Sequence, residues 1–104
     1  MIHDEIRTLL DAPPAGEDAP TIDAIEHTLT AGYARALALE AERWRIERKI
    51  AQVAAKLGGK SQEIDPSELA QLGQRLSVAD GDLSKLRGLL SSLRSRADEV
   101  RTTA

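Results

Sequence analysis

The basic run Arg43–Lys49 is the part of the chain whose chemistry is most readily interpreted, and it contains the only Trp. Its cations suit phosphates and Trp44 suits stacking on a base, as in single-stranded nucleic-acid sites. However, Glu40, Glu42 and Glu47 are interleaved with the cations, and pairs four residues apart cancel much of the positive field. With a net charge of −3, we expect a solvated helix face and no nucleic-acid partner.

Residues for catalysis or metal binding are scarce. The only histidines are His3 and His27, there is no Cys, and no His–carboxylate spacing is typical of a metal site. Gly58–Ser61 has the residues that end a phosphate-binding loop but lacks the earlier glycine and a preceding strand, so we expect a helix-ending turn there. The sequence therefore predicts a non-enzymatic protein with no cofactor, no metal site and no catalytic residues.

Two ladders of apolar residues, stepping by three and four, determine the expected fold. The first comprises Ile22, Ile25, Leu29, Gly32, Ala36, Leu39, Arg43, Ile46, Ile50, Val53 and Leu57. The second comprises Leu69, Leu72, Leu76, Ala79, Leu83, Leu86, Leu90, Leu93, Ala97 and Val100. They predict an all-α fold, a long antiparallel helical hairpin of the coiled-coil type, with helices over 22–57 and 66–101 and a turn over 58–65.

The segment 1–20 is expected to form a short helix over 2–10 followed by an extended linker rich in proline, with the hairpin domain occupying 21–104. Thr21 or Asp23 is expected to cap the second helix. At the start of the third helix, the following residues have the pattern of a cap, a first-turn proline and a hydrophobic staple: Ile64, Asp65, Pro66, Glu68 and Leu69.

Antiparallel pairing of the two ladders predicts specific neighbours. Gly32 is expected near Leu90 and Leu93, so that a small residue faces large ones. Arg43 is the one charged residue in the ladders, and Asp80 or Asp82 is its expected counter-ion.

An apolar row beside the first ladder predicts a second neighbour for that helix. It consists of Tyr33, Leu37, Ala41 and Trp44. A two-helix layer in a chain of 104 residues buries little surface. We therefore expect a homo-oligomer, either a dimer or a four-helix assembly, with Tyr33, Leu37 and Trp44 as the partner interface. The alternative is that residues 2–10 fold back onto this row.

Polar residues at intervals of four and three follow one flank of the third helix. They are Asp80, Ser84, Arg87, Ser91 and Arg94. The default for such a row is a solvated ridge beside an apolar seam.

Over roughly residues 64–95, the chain resembles the ligand helix of the RsiG-type anti-sigma factors of actinobacteria. The family signature is an acid, three residues, Ser, two residues, Arg, three residues, Gln, three residues and Asp. Asp80, Ser84 and Arg87 match its first three positions. The departures from the Gln and Asp positions are Ser91 and Ser95. The resemblance implies an antiparallel coiled coil that binds cyclic di-GMP through the matching residues and then holds a sigma factor; the Arg guanidinium suits stacking on guanine or clamping phosphate.

The expected location is the cytoplasm. The chain has no Cys for disulfides, and its first residues lack a basic region followed by an apolar run. No stretch approaches 18 uncharged apolar residues, so no membrane partner is expected.

Overall fold

A computed structural model describes residues 1–57 and 66–103. It contains α1 (Ile2–Asp11), α2 (Ile22–Leu57) and α3 (Pro66–Thr103), and no strand in the described residues. The all-α class is therefore confirmed. The expected turn, with the Asp65 cap and the Ile64 staple, lies outside the described residues.

Helix α1 begins directly after Met1 and ends at Asp11, two residues before Pro13. The backbone N–H groups of Asp4 and Glu5 each donate to the Met1 carbonyl at 3.1 Å. Ala12 follows the helix with φ −69° and ψ 155°. This extended conformation is the one that a residue preceding a proline favours, and Pro13 comes next.

Helix α2 is capped by Thr21. The Ala24 N–H donates to Thr21 Oγ1 at 3.1 Å, and the Ile25 N–H donates to the Thr21 carbonyl at 3.1 Å. Asp23 instead lies in the first turn, where its charge complements the positive end of the helix dipole. Of the two expected caps, the structure uses the first.

Helix α3 begins at Pro66, the position at which a helix tolerates proline best. It ends at Thr103, two residues beyond the expected end. In its last turns, Thr102 Oγ1 donates to the Asp98 carbonyl at 3.0 Å and to the Glu99 carbonyl at 2.9 Å.

The chain divides into two compact units, the first of which comprises Met1–Leu37 and Ser84–Ala104. Ladder residues and one α1 residue form its core: Ile6, Ile25, Leu29, Ala36, Leu86, Leu90, Leu93 and Ala97. A Cβ built on Gly32 would lie 2.4 Å from Leu90 Cδ2 and 3.6 Å from Ile6 Cδ1. Glycine at position 32 thus lets α2 receive a leucine of α3 closely, next to α1.

The second unit comprises Ala38–Leu83, within which parts of α2 and α3 share a core. Ile46, Val53, Leu72 and Ala79 form a buried cluster. Around it pack the half-buried ladder residues Ile50, Leu69 and Leu76. In each unit, the apolar side chains that recur every three or four residues are the ones removed from water.

Candidate interaction surface and polar ridge

The row beside the first ladder stays exposed, and we call Tyr33, Leu37, Ala41 and Trp44 the outer flank of α2. Tyr33 is 42% exposed, Leu37 67% and Trp44 59%. Ala41 is also exposed. Three large apolar side chains therefore face solvent on one helix.

Tyr33 and Leu37 stay partly exposed in the first unit although α1 packs beside Gly32. Ile6 of α1 is fully buried close to Gly32, yet Tyr33 and Leu37, which belong to the same unit, remain in contact with solvent. Residues 2–10 therefore pack beside Gly32 and leave Tyr33 and Leu37 in contact with solvent, and their contact with this row stays a prediction.

The side chain of Arg48 lies over the ring of Trp44. The guanidinium carbon of Arg48 lies 5.4 Å from the ring centroid, which is within the range of a cation–π interaction. Arg48 is four residues further along α2, so the helix itself places the two side chains one above the other. The contact restrains the indole while leaving it largely exposed.

An uncharged row of alanines, which sequence reasoning missed, runs along the outside of α2. Ala31, Ala34, Ala38 and Ala41 step by three, four and three residues, and all four are exposed. The spacing was visible in the sequence, but alanine is too weakly hydrophobic to mark a helix face by itself. Together with the outer flank, these alanines give one stretch of α2 small or apolar side chains that are exposed to solvent.

Arg43, the charged residue of the first ladder, reaches out of the core of the second unit. Its Nε lies 3.0 Å from Asp80 Oδ1 and 3.0 Å from Glu47 Oε1. Of the two counter-ions that the sequence offered, Asp80 is the one in contact. The Arg43 side chain is 40% exposed and that of Asp80 50%, so water screens the pair.

The hydrogen bond to Glu47, followed by the charge of Asp80, raises the pKa of Arg43 above its usual value. The guanidinium therefore stays charged throughout the physiological pH range. This ion pair orients two side chains at the edge of the core, and its partial exposure indicates that it is not a buried charge.

A second ion pair joins α2 and α3 in the first unit. Arg101 pairs with Glu26, and its Nη1 lies 3.4 Å from Asp98 Oδ1. The hydrogen bond to Glu26 is the main cause that raises the pKa of Arg101. Sequence reasoning missed this pair, because both residues lie outside the apolar ladders.

The three residues of the suggested ligand site all lie on α3 and are all exposed. Asp80 belongs to the second unit, whereas Ser84 and Arg87 belong to the first. The Asp80 carboxylate already contacts Arg43, so a ligand that used this carboxylate would compete with the ion pair.

Three glycines of α3, Gly73, Gly81 and Gly88, face open space. A Cβ built on any of them would meet nothing within 4 Å. Within the described structure, they do not serve the close approach of another backbone.

Over residues 1–57 and 66–103, no group of three or more His, Asp or Glu side chains is arranged to hold a metal ion. Within the same residues, no helix has the length and apolar character needed to span a membrane.

Comparisons with protein-family models, with curated proteins and with solved structures found no match to this chain.

Proposed function

We propose that this chain is a non-enzymatic α-helical interaction module, built as an antiparallel helical hairpin, that self-associates through the outer flank of α2. Contacts within the first unit support the antiparallel arrangement. Early in α2, Glu26 pairs with Arg101 near the end of α3. Further along α2, Gly32 lies against Leu90, which comes earlier in α3.

The observation that carries the proposal is the exposure of Tyr33, Leu37 and Trp44 on one helix. Burying a large apolar side chain is worth roughly 1.5–3 kcal/mol relative to leaving it in water. Single exposed apolar residues are ordinary, whereas several on one helix side by side indicate an interaction surface. Aromatic residues and leucine in such a row are typical anchors of helix packing.

A second copy of the chain fits this surface best. The alanines of α2 allow another helix to approach within the usual 8–10 Å, and the apolar side chains beside them then interdigitate. When two identical helices pack about a two-fold axis, the same residues are buried on both. Two hairpins joined in this way form a four-helix assembly with a larger core than one hairpin has.

The test is the mass of the full chain in solution by light scattering. We expect a multiple of the 11.3 kDa chain mass, two copies in the simplest case, at micromolar concentration. Replacing Leu37 and Trp44 together by Glu should return the monomer. The matched control is Ser92→Glu, which adds a charge at an exposed position of α3. A monomer for the unaltered chain, or dissociation by the control, would contradict the proposal.

The competing candidate is a cyclic-di-GMP-responsive anti-sigma factor of the RsiG type, with a sigma factor as protein partner. It is favoured by one observation, the exposure of Asp80, Ser84 and Arg87 at signature spacing on a single helix. In that role, Arg87 would stack on guanine or clamp phosphate. We propose a cytoplasmic location for either role.

A further inference from the structure

Helix α1 packs within the first unit through one main anchor. Ile6 is its only fully buried side chain. Arg96 Nη2 donates to the Leu10 carbonyl at 3.3 Å, which is close to the limit for a hydrogen bond. His3 Nε2 and Arg96 Nη1 are buried without a hydrogen-bond partner, and each such atom costs free energy when it leaves water. Docking of α1 therefore depends mainly on one fully buried side chain, while four other side chains of α1 are half-buried.

The tether between α1 and α2 is folded by one turn. The Ala19 N–H donates to the Gly16 carbonyl at 3.2 Å. Gly16 has φ +100°, a conformation that side chains disfavour. Pro13, Pro14 and Pro20 in the same tether favour extended polyproline geometry. Opening the turn breaks one backbone hydrogen bond and lets the ten tether residues extend to about 33 Å.

We propose that α1 is an exchangeable arm: in the self-associated protein, α1 of each copy leaves its own first unit and docks on that of the other copy. The same contacts form after exchange, with Ile6 beside Gly32 and Leu90 and the Leu10 carbonyl on Arg96 of the second copy. Exchange therefore loses no docking energy. The occupant of the groove is α1 itself, because the structure shows that its side chains fit there.

Exchange rests on the proposed association through the outer flank. A tethered arm has an effective concentration in the millimolar range for its own groove. Two free copies at micromolar concentration would therefore keep their arms. Once the outer flanks hold two copies together, docking on the second groove also becomes intramolecular, and the bias of the prolines toward an extended tether favours the exchanged form.

The experiment measures, by sedimentation equilibrium, the midpoint concentration at which half of the full-length chain is dimeric. This midpoint is compared between the unaltered chain and its variants. In Gly16→Pro, the observed backbone path into the turn cannot form, because proline fixes φ near −65° and Gly16 has φ +100°. We expect this variant to lower the midpoint concentration at least tenfold. The control Glu17→Gln changes the same turn without a backbone constraint and should leave the midpoint unchanged. Adding Ile6→Asp to Gly16→Pro should restore the midpoint concentration of the unaltered chain, since an arm with a charge at position 6 cannot dock in either copy.

The outcomes separate the two proposals. Arm exchange is wrong if Gly16→Pro has the same midpoint concentration as Glu17→Gln. It is also wrong if adding Ile6→Asp to Gly16→Pro leaves the midpoint concentration as low as before. If the Leu37→Glu, Trp44→Glu chain is monomeric while Gly16→Pro has no effect, the outer flank stands and exchange fails. If Gly16→Pro tightens a dimer that the two Glu substitutions do not disturb, the outer flank is wrong, and the arms exchange in a dimer that is held through another surface. Monomers in every sample contradict both.

Discussion

Leu90 packs directly against Gly32, with its Cδ2 atom 2.4 Å from the position that a Cβ on Gly32 would occupy. Leu90 is 3% exposed, so its side chain has little room to move away. A larger residue at position 32 would therefore force Leu90 to shift, which distinguishes Gly32 from the glycines of α3.

Alanine substitutions should consequently change stability in opposite directions at two glycines. Gly32→Ala is expected to lower the free energy of unfolding by about 1–2 kcal/mol, because overpacking exceeds the gain in helix propensity. Gly88→Ala is expected to raise it by about 0.5–1 kcal/mol, because a Cβ there meets open space. Urea unfolding followed by circular dichroism measures both, and a stabilised Gly32→Ala would show that Leu90 moves aside freely.

Helix α1 should detach when its anchor is shortened. Ile6→Ala removes buried methyl groups and should lower the free energy of unfolding by about 2 kcal/mol. The amide protons of α1 should then exchange with solvent faster than those of α2. The neighbouring exposed residue provides the control, since Arg7→Ala should stay within about 0.5 kcal/mol of the parent chain. Unchanged exchange in Ile6→Ala would show that α1 does not depend on this side chain.

Arg43→Leu should raise the melting temperature. Leucine continues the apolar ladder, and the Asp80 carboxylate that loses its partner is half exposed and remains hydrated. Glu47→Gln, which weakens the hydrogen bond but keeps Arg43, serves as the control and should shift the melting temperature less. Sedimentation velocity should show a single species for Arg43→Leu. Several species would mean that this charge fixes the register of the assembly.

Cyclic di-GMP tests the competing candidate directly. If that role is correct, calorimetry with the full chain should show binding that Arg87→Ala removes and the nearby Ser92→Ala, on the same helix, leaves intact. No heat with the unaltered chain, or equal binding by Arg87→Ala, would eliminate it.

Much of the helical layout follows from local sequence. The ladders predicted α2 over the residues that the structure gives it, and Pro66 marked the start of α3. The contacts of Gly32 with Leu90 and of Arg43 with Asp80 were also expected, because pairing two regular ladders leaves few registers.

The docking of α1 was not predictable in the same way. Its contacts join residues far apart in sequence, such as Leu10 and Arg96, and the tether between α1 and α2 has no periodicity from which a docking position follows. Nothing in the sequence indicated that the Arg96 guanidinium contacts the Leu10 carbonyl, because an arginine beside a leucine ladder ordinarily faces water. The division into a segment 1–20 and a hairpin domain 21–104 stays a prediction.

The most direct test of self-association through the outer flank is the emission of Trp44 as the full chain is diluted. Trp44 is the only Trp and is 59% exposed in a single chain, so its spectrum reports on this surface alone. If the outer flank is the interface, emission should be blue-shifted at high concentration and move to the red on dilution, together with a fall in mass to 11.3 kDa. Red emission that does not depend on concentration, in a protein that remains associated, would contradict it.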